Sequence, residues 1–123
     1  MDRYCKVCGN PYTELHHIMF RSEVKTLEYC KLNLVNLCVE HHKGTYGVHG
    51  SKGARLNRKL KLEFQNKLEE LWDKRYLSRE EINNVLQIND KALNRLLKRL
   101  SLQNDKYDKE DVIRACMSGK LII

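Results

Sequence analysis

The sequence predicts an α+β protein in which a small, loop-rich module precedes a helical region. Two observations carry this prediction. Residues 1–54 hold all five histidines, four of the five cysteines, the only proline and five of the six glycines. Beyond residue 55, apolar residues recur every three to four positions, which is the period of amphipathic helices. The first region is too short to bury a large apolar core, so we expect another source of stability there.

Charge and composition limit the kind of partner and the compartment. The chain has 123 residues, a net charge of +7 and a pI near 9.2. This excess of cations favours an anionic partner, and nucleic acid is the commonest one, although ribosomal or membrane-surface binding fits the charge equally well. The N-terminal stretch MDRYCKVCGN has no apolar core, and no apolar run reaches the length of a membrane span. We therefore expect a cytoplasmic protein without membrane association, in which cysteines are thiols or metal ligands.

The cysteines of the first module predict a structural zinc site. Cys5-x2-Cys8 has the spacing of a zinc knuckle, and Cys38-x2-His41 repeats it with an imidazole in place of one thiolate. Together they offer a Cys3His tetrahedron, a ligand set of structural zinc. Such an ion would stabilise a module that lacks a large core. Cys30 is the alternative fourth ligand, less favoured because it lacks knuckle spacing to Cys38.

The remaining histidines predict a second ion and a free imidazole beside it. His16 and His17 are adjacent, and adjacent residues of a strand point to opposite faces, so both cannot serve one ion. One can hold a metal while its neighbour stays free. A free imidazole in general, with a pKa of about 6.5, is a good general base near neutral pH. His41 and His42 divide in a similar way, with His41 at the zinc and His42 turned toward the second ion. His49 is a further candidate ligand of that ion.

Residues 55–76 predict a connecting amphipathic helix. Its charged residues fall between apolar positions, which favours one buried face and one exposed face. The apolar positions are Leu56, Leu60, Phe64, Leu68, Leu71 and Trp72.

Residues 77–123 predict an all-α, helix-turn-helix-like unit that binds DNA. Ser78 and Glu81 have the spacing of a capping box at the start of a first helix. Asn89 or Asp90 can cap a second helix, and a further helix with a short extended tail follows. In such a unit the second helix enters the major groove of DNA. A helical bundle with a solvated basic face is the alternative. The basic side chains of the second helix are Lys91, Arg95, Lys98 and Arg99.

Four elements between about residues 5 and 50 resemble the HNH endonuclease family. The name-giving positions correspond to His17, Asn33 and His42. The following stretch KGTYGVHG is similar to HNH proteins of phages and mobile elements. The helix-turn-helix-like unit resembles modules that are often attached to such nucleases, and that match is much less specific. The four elements are Cys5-x2-Cys8, Leu15-His16-His17-Ile18, Asn33-Leu34-x2-Leu37-Cys38 and His41-His42.

Two positions depart from the commoner family pattern. Many members have a second C-x2-C knuckle, whose last position is His41 here. Many also have Asp before the first name-giving histidine, where this chain has His16, as in the colicin-type branch. That branch has another histidine downstream, a part that His49 could take.

The resemblance implies a ββα-metal fold and a metal-dependent endonuclease that hydrolyses double-stranded DNA, of the nicking or homing type. In such an enzyme His17 is the general base, and Asn33 bonds backbone near it and orients its ring. His16, His42 and the further candidate His49 hold one divalent ion, which is Mn²⁺, Ni²⁺, Co²⁺ or Mg²⁺. These assignments are expectations from the family pattern.

Two other classes of function compete with the nuclease. One is a non-catalytic, zinc-stabilised DNA-binding regulator or nuclease inhibitor with a decayed site, although retention of His17, Asn33 and His42 together argues against decay. The other is a redox protein, which is weak because no βαβ pattern surrounds the first cysteine pair. Glu14 could share the strand face of His16, and an exposed strand carboxylate is the favoured interpretation of it. The target sequence, the number of strands cut and the oligomeric state, a homodimer included, stay open.

Overall fold

The N-terminal module is built on one antiparallel hairpin and a short helix. In the computed structural model, which describes residues 3–123, strand β1 (Glu14–His17) pairs with strand β2 (Leu34–Leu37). The register places His16 opposite Val35 and His17 opposite Leu34. Helix α1 (Val39–Lys43) follows directly after β2. The described residues form five α-helices and two small antiparallel sheets, so the mixed α+β class is confirmed.

A long segment, residues 18–33, joins the two strands and is held by one buried amide. It contains two single turns of 3-10 helix, at Lys25–Leu27 and Lys31–Asn33. The Asn33 side chain accepts a hydrogen bond from the Met19 amide at 2.7 Å and donates to the carbonyls of Met19 at 3.1 Å and of Leu27 at 3.2 Å. Because Asn33 is fully buried, these bonds replace the water that its amide loses.

Helix α2 (Ala54–Leu71) confirms that a helix follows the module and ends earlier than the sequence suggested. Its buried face is Leu60, Phe64 and Leu68. The helix ends where the backbone of Trp72 becomes extended (φ −95°, ψ 97°), and the Lys109 ammonium caps this end, at 3.1 Å from Glu69 O and 2.6 Å from Trp72 O. A cation at a helix C-terminus also complements the helix dipole.

The C-terminal unit is not all-α, so that part of the prediction is wrong. Three short strands, β3 (Tyr76–Leu77), β4 (Leu102–Gln103) and β5 (Lys106–Asp108), form a sheet in the order β3-β5-β4. Asn104 and Asp105 join β4 to β5 with φ values of +52° and +64°, the backbone of a tight two-residue hairpin turn. Strands of two or three residues are too short to leave an alternating pattern in the sequence.

Helices α3 (Arg79–Leu86) and α4 (Asp90–Leu97) form the expected pair, followed by α5 (Lys109–Cys116). The capping box is present: Ser78 Oγ accepts from the Glu81 amide at 3.1 Å, and Glu81 Oε1 accepts from the Ser78 amide at 2.9 Å. Asn89, not Asp90, caps α4, since its Oδ1 accepts from the Ala92 amide at 2.8 Å.

One continuous cluster of buried side chains extends through the module, α2 and the C-terminal unit. Leu27 and Leu37 contribute from the module, Leu68 from α2, and Ile82 and Ile113 from the C-terminal unit. Helix α4 packs against the Lys25–Leu27 turn, and α5 packs against α2. The predicted boundaries at residues 54 and 76 therefore mark changes of sequence pattern only. The buried core is continuous across both boundaries. No helix of the described chain combines the length and apolar character that crossing a bilayer requires.

We predict that Ser78→Ala lowers the free energy of unfolding by about 1 kcal/mol, because the α3 N-terminus loses its cap. Urea unfolding followed by circular dichroism measures this change. Ser101→Ala is the matched control, since Ser101 is exposed and caps no helix. Equal stability of the two variants would show that the capping box contributes nothing here.

Candidate metal centres

Three thiols and one imidazole converge in the N-terminal module. The ligand atoms of Cys5, Cys8, Cys38 and His41 all lie within 4.8 Å of one another. Cys8 Sγ is 3.7 Å from Cys38 Sγ, and His41 Nδ1 is 3.7 Å from Cys5 Sγ and 3.2 Å from Cys38 Sγ. A tetrahedron with zinc–sulfur bonds of about 2.3 Å has edges of about 3.8 Å, so these separations fit such an ion. The predicted Cys3His set could thus hold a metal such as zinc.

Local backbone geometry brings the two halves of this cluster together. Gly9, with φ of +77°, allows its amide to return to Cys5 O at 2.8 Å and closes the knuckle. The Lys6 amide donates to Asn36 O at 2.9 Å, which joins the knuckle to β2. Burial opposes ionisation of Cys5, but the backbone amides of Cys38, Cys8 and Val7 stabilise the thiolate and lower its pKa to about 6. A thiolate is the form that binds a metal.

Cys30, the alternative fourth ligand, lies outside this cluster. It is fully buried, and that burial raises the pKa of its thiol. Cys30 is thus a neutral core side chain, as buried free cysteines usually are.

A second cluster contains three histidines from three different segments. His16 of β1, His42 of α1 and His49 each offer a nitrogen, and these atoms lie within 4.8 Å of one another. The ring centroids are 5.1 Å apart for His16 and His42, 5.1 Å for His16 and His49, and 4.9 Å for His42 and His49. The three imidazoles are the ligands that the sequence assigned to a second ion.

His16 carries the clearest sign of a missing partner in this cluster. Its side chain is 2% exposed, and its Nε2 is buried without a hydrogen bond from any residue of 3–123. A buried polar atom without a partner is costly and calls for an explanation such as a bound ion. Burial, together with the nearby His42 and His49, lowers the pKa of His16 to about 3. The ring is therefore neutral near pH 7, which is the form that ligates a metal.

His49 reaches the cluster through a glycine-rich loop. The His49 amide donates to His42 O at 2.9 Å, and the Val48 amide donates to His41 O at 3.0 Å. The loop packs so tightly that a Cβ on Gly50 would lie 1.8 Å from Gly44 O. The close approach that glycine permits lets the chain fold back over α1. The seven-residue offset from His42 is thus bridged by backbone hydrogen bonds rather than by a helix.

Glu14 lies in β1 with its side chain 37% exposed, as the favoured interpretation has it, and it is also bound to His42. His42 Nδ1 donates to Glu14 Oε1 at 2.8 Å, and Lys43 Nζ donates to Glu14 Oε2 at 3.3 Å. These hydrogen bonds lower the pKa of Glu14. The bond fixes the tautomer of His42 and leaves its Nε2 for a metal, an arrangement that is common around metal-ligating histidines.

His17 is separate from the histidine cluster and is held by the segment 18–33. Its Nε2 lies 3.0 Å from Glu28 O. A carbonyl oxygen only accepts, so Nε2 carries the proton and Nδ1 keeps the lone pair. Asn33 bonds Met19, two residues after His17, and Leu27, which precedes Glu28. Asn33 therefore fixes the backbone on both sides of the hydrogen bond that orients the His17 ring.

An open cleft of about 490 Å³ exposes this arrangement to solvent. Sequence reasoning missed three of its side chains, Phe20, Arg21 and Ser22. The ring centroids of Phe20 and His49 are 5.1 Å apart. The Lys61 ammonium lies 4.4 Å from the centroid of the same Phe20 ring. Among the lining residues that the structure describes, Arg21 is the only permanent cation. The lining residues are Leu15, His16, His17, Phe20, Arg21, Ser22, His42 and His49.

The basic side chains that were assigned to DNA binding all lie at the surface. Lys91, Arg95, Lys98 and Arg99 are exposed along α4 and directly after it.

Comparison with protein-family models, curated proteins and solved structures finds no significant match. The family assignment therefore depends on the residues themselves.

We predict that Cys8→Ser removes zinc and unfolds the N-terminal module, because the ion supplies stability that the small core lacks. Zinc content by elemental analysis should fall from one ion per chain to none, with a lower melting temperature. Cys30→Ala is the control and should retain zinc. Loss of zinc in Cys30→Ala but not in Cys8→Ser would overturn the ligand assignment.

Proposed function

We propose that this protein is a metal-dependent HNH-type DNA endonuclease of the nicking or homing kind. In this proposal β1, β2 and α1 form a ββα-metal module around the histidine cluster. One observation carries it: three imidazoles meet at an open cleft, Nε2 of one of them, His16, is buried without a partner, and the adjacent His17 is held apart from them. A structural site alone would have no use for a separate, oriented imidazole at the rim.

His16, His42 and His49 would hold the catalytic divalent ion. When bound, such an ion supplies charge neutralisation at a scissile phosphate and stabilisation of the leaving oxygen. The chain's own contribution is to present three imidazole nitrogens and to keep them in place. Glu14 keeps Nδ1 of His42 protonated and so directs the other nitrogen toward the ion.

His17 would act as the general base. Nδ1 accepts a proton from the water that attacks phosphorus, and the ring becomes an imidazolium. As the new phosphorus–oxygen bond forms, the bond from phosphorus to the leaving oxygen of the strand breaks, and that oxygen takes a proton from solvent. The carbonyl of Glu28 continues to accept from Nε2–H, 3.0 Å away, and so stabilises the new positive charge. Asn33 acts as a positioning residue, because it holds the backbone on both sides of this contact.

The substrate is double-stranded DNA in this proposal. The net charge of +7 supports a polyanion, and the exposed cations of α4 support contacts to phosphate. Arg21 lines the cleft and its side chain is 66% exposed, so its guanidinium is suited to hold a phosphate. The zinc cluster would position α1, in which His41 and His42 are neighbours.

A non-catalytic DNA-binding regulator is the second candidate. It is favoured by the α3–α4 pair, whose exposed basic surface does not depend on the histidine cluster. Incubation of supercoiled plasmid with the protein and a series of divalent ions separates the two. Open-circular or linear product supports the endonuclease, and intact plasmid with tight duplex binding supports the regulator.

We predict that His17→Ala slows cleavage by about 100- to 10,000-fold, the usual contribution of a general base. It should keep its zinc and its affinity for Mn²⁺, because His17 is outside the cluster. His16→Ala should lose the affinity for Mn²⁺, measured by isothermal titration calorimetry. If both variants lost Mn²⁺ equally, the division between base and ligand would be wrong.

We predict that Mn²⁺, Co²⁺ or Ni²⁺ supports cleavage better than Mg²⁺ at equal concentration, since three imidazoles suit these ions and Mg²⁺ prefers oxygen. His16→Asp should shift the preference toward Mg²⁺. Initial rates of plasmid nicking across a metal series measure both effects. A wild-type protein equally active with sub-millimolar Mg²⁺ would contradict an all-imidazole site and would point to Glu14 as a ligand.

A further inference from the structure

Helix α4 and the segment before β2 enclose a second, basic groove, which we call the α4 groove. Its volume is about 340 Å³. Lys25 and Tyr29 form one wall, and Lys91 and Arg95 of α4 form the other. Lys25, Lys91 and Arg95 are exposed, and none of them forms an ion pair with any residue of 3–123. Three unpaired cations from distant parts of the chain thus face one groove.

The acidic side chains near this groove do not neutralise it. Glu28 also lines the groove, but its carboxylate is 3.7 Å from Arg21. Asp90 lies at the start of α4 and is 3.8 Å from Arg79. Many other lysines and arginines of the protein are paired with carboxylates, such as Lys61 with Glu23 at 2.8 Å. The unneutralised positive charge of the groove fits a polyanion.

Helix α4 presents side chains that can read bases as well as contact phosphate. Its apolar face, Leu93, Leu96 and Leu97, is buried, which fixes the rotation of the helix. The opposite face exposes Lys91, Asn94, Arg95 and Lys98, at spacings of three and four residues that form one stripe. Arginine pairs with guanine edges and asparagine with adenine edges in the major groove. A duplex is therefore the polyanion that this surface fits.

The α4 groove and the metal cleft share one wall. The Glu28 carbonyl accepts from the His17 ring at 3.0 Å, its carboxylate contacts Arg21 at the cleft, and the same residue lines the α4 groove. The buried Leu27 lies in the turn against which α4 packs, and its carbonyl is bonded by Asn33. A packed and hydrogen-bonded segment, rather than a linker, thus separates the two surfaces.

We infer that the α4 groove binds the stretch of duplex next to the scissile phosphate, so that α4 places the cut at a constant offset from the base pairs that it contacts. This inference rests on the proposed endonuclease function. Residues 21–29 reach at most about 30 Å even when fully extended. At about 3.4 Å per base pair, the offset is less than about ten base pairs, within one turn of the double helix.

Binding without cleavage tests the groove first. With His17→Ala as the background, Kd for a linear duplex fragment of the test plasmid is measured from about 50 to 300 mM salt. Arg95→Ala should weaken binding by about 5- to 100-fold, and Lys91→Ala should lower the salt slope by about one. Lys59→Ala on α2 is the matched control, because Lys59 is also an exposed helical lysine outside the groove. Groove variants that bind like Lys59→Ala would overturn the inference.

A tethered probe then tests the offset without the protein's own catalysis. Ser22, at the lip of the metal cleft, is exposed, so Ser22→Cys can carry an iron chelate that cuts nearby DNA. Protein without Ser22→Cys, treated with the same reagent, controls for labelling of native thiols. Footprinting identifies the bases that are protected by protein with Arg95 and exposed with Arg95→Ala. The probe cuts should fall within about ten base pairs of those bases. Scattered or more distant cuts would overturn the inference.

The two proposals can fail separately in these experiments. Plasmid that stays intact with every divalent ion, together with clustered probe cuts, would reject the endonuclease and keep the α4 groove as a DNA site beside the histidine cluster. Plasmid cleavage at variable distances from the bases that α4 contacts would keep the endonuclease and reject the constant offset.

Discussion

The buried amide of Asn33 is the constraint on which the site depends most. Three hydrogen bonds from this side chain hold Met19 and Leu27, and with them the segment that joins the two strands of the hairpin. The same segment carries the carbonyl that orients His17 and forms the wall against which α4 packs. Hydrophobic packing is non-directional and could not set these positions, whereas a fully buried amide tolerates few alternative arrangements.

The two candidate metal centres meet in α1, a helix of only five residues. A helix this short is unstable in isolation, since one turn does not offset the cost of nucleation. Its position depends on neighbours: Cys38 and His41 belong to the thiol cluster, and Glu14 of β1 binds His42. The geometry of the histidine cluster is thus tied to that of the thiol cluster through one helical turn.

The relation between the two halves of the chain comes from packing rather than from a linker. Buried side chains of α2, α4 and α5 join one core with those of the hairpin module, and Lys109 of α5 donates to carbonyls at the end of α2. Because the two halves pack on one core, the basic face of α4 has a defined position beside the cleft. Flexible tethering would leave that position free and would allow only an increase in local concentration.

The sequence by itself determined what depends on neighbours a few residues away. Knuckle spacing grouped Cys5 with Cys8, strand alternation separated His16 from His17, and the capping box placed the start of α3. Only the tertiary structure decided which distant groups meet: Glu14 with His42, and α4 with the Lys25–Leu27 turn. It also decided the three-stranded sheet, whose short strands have no periodicity to detect. Local spacing constrains backbone geometry directly, whereas contacts between distant segments depend on how the whole core packs.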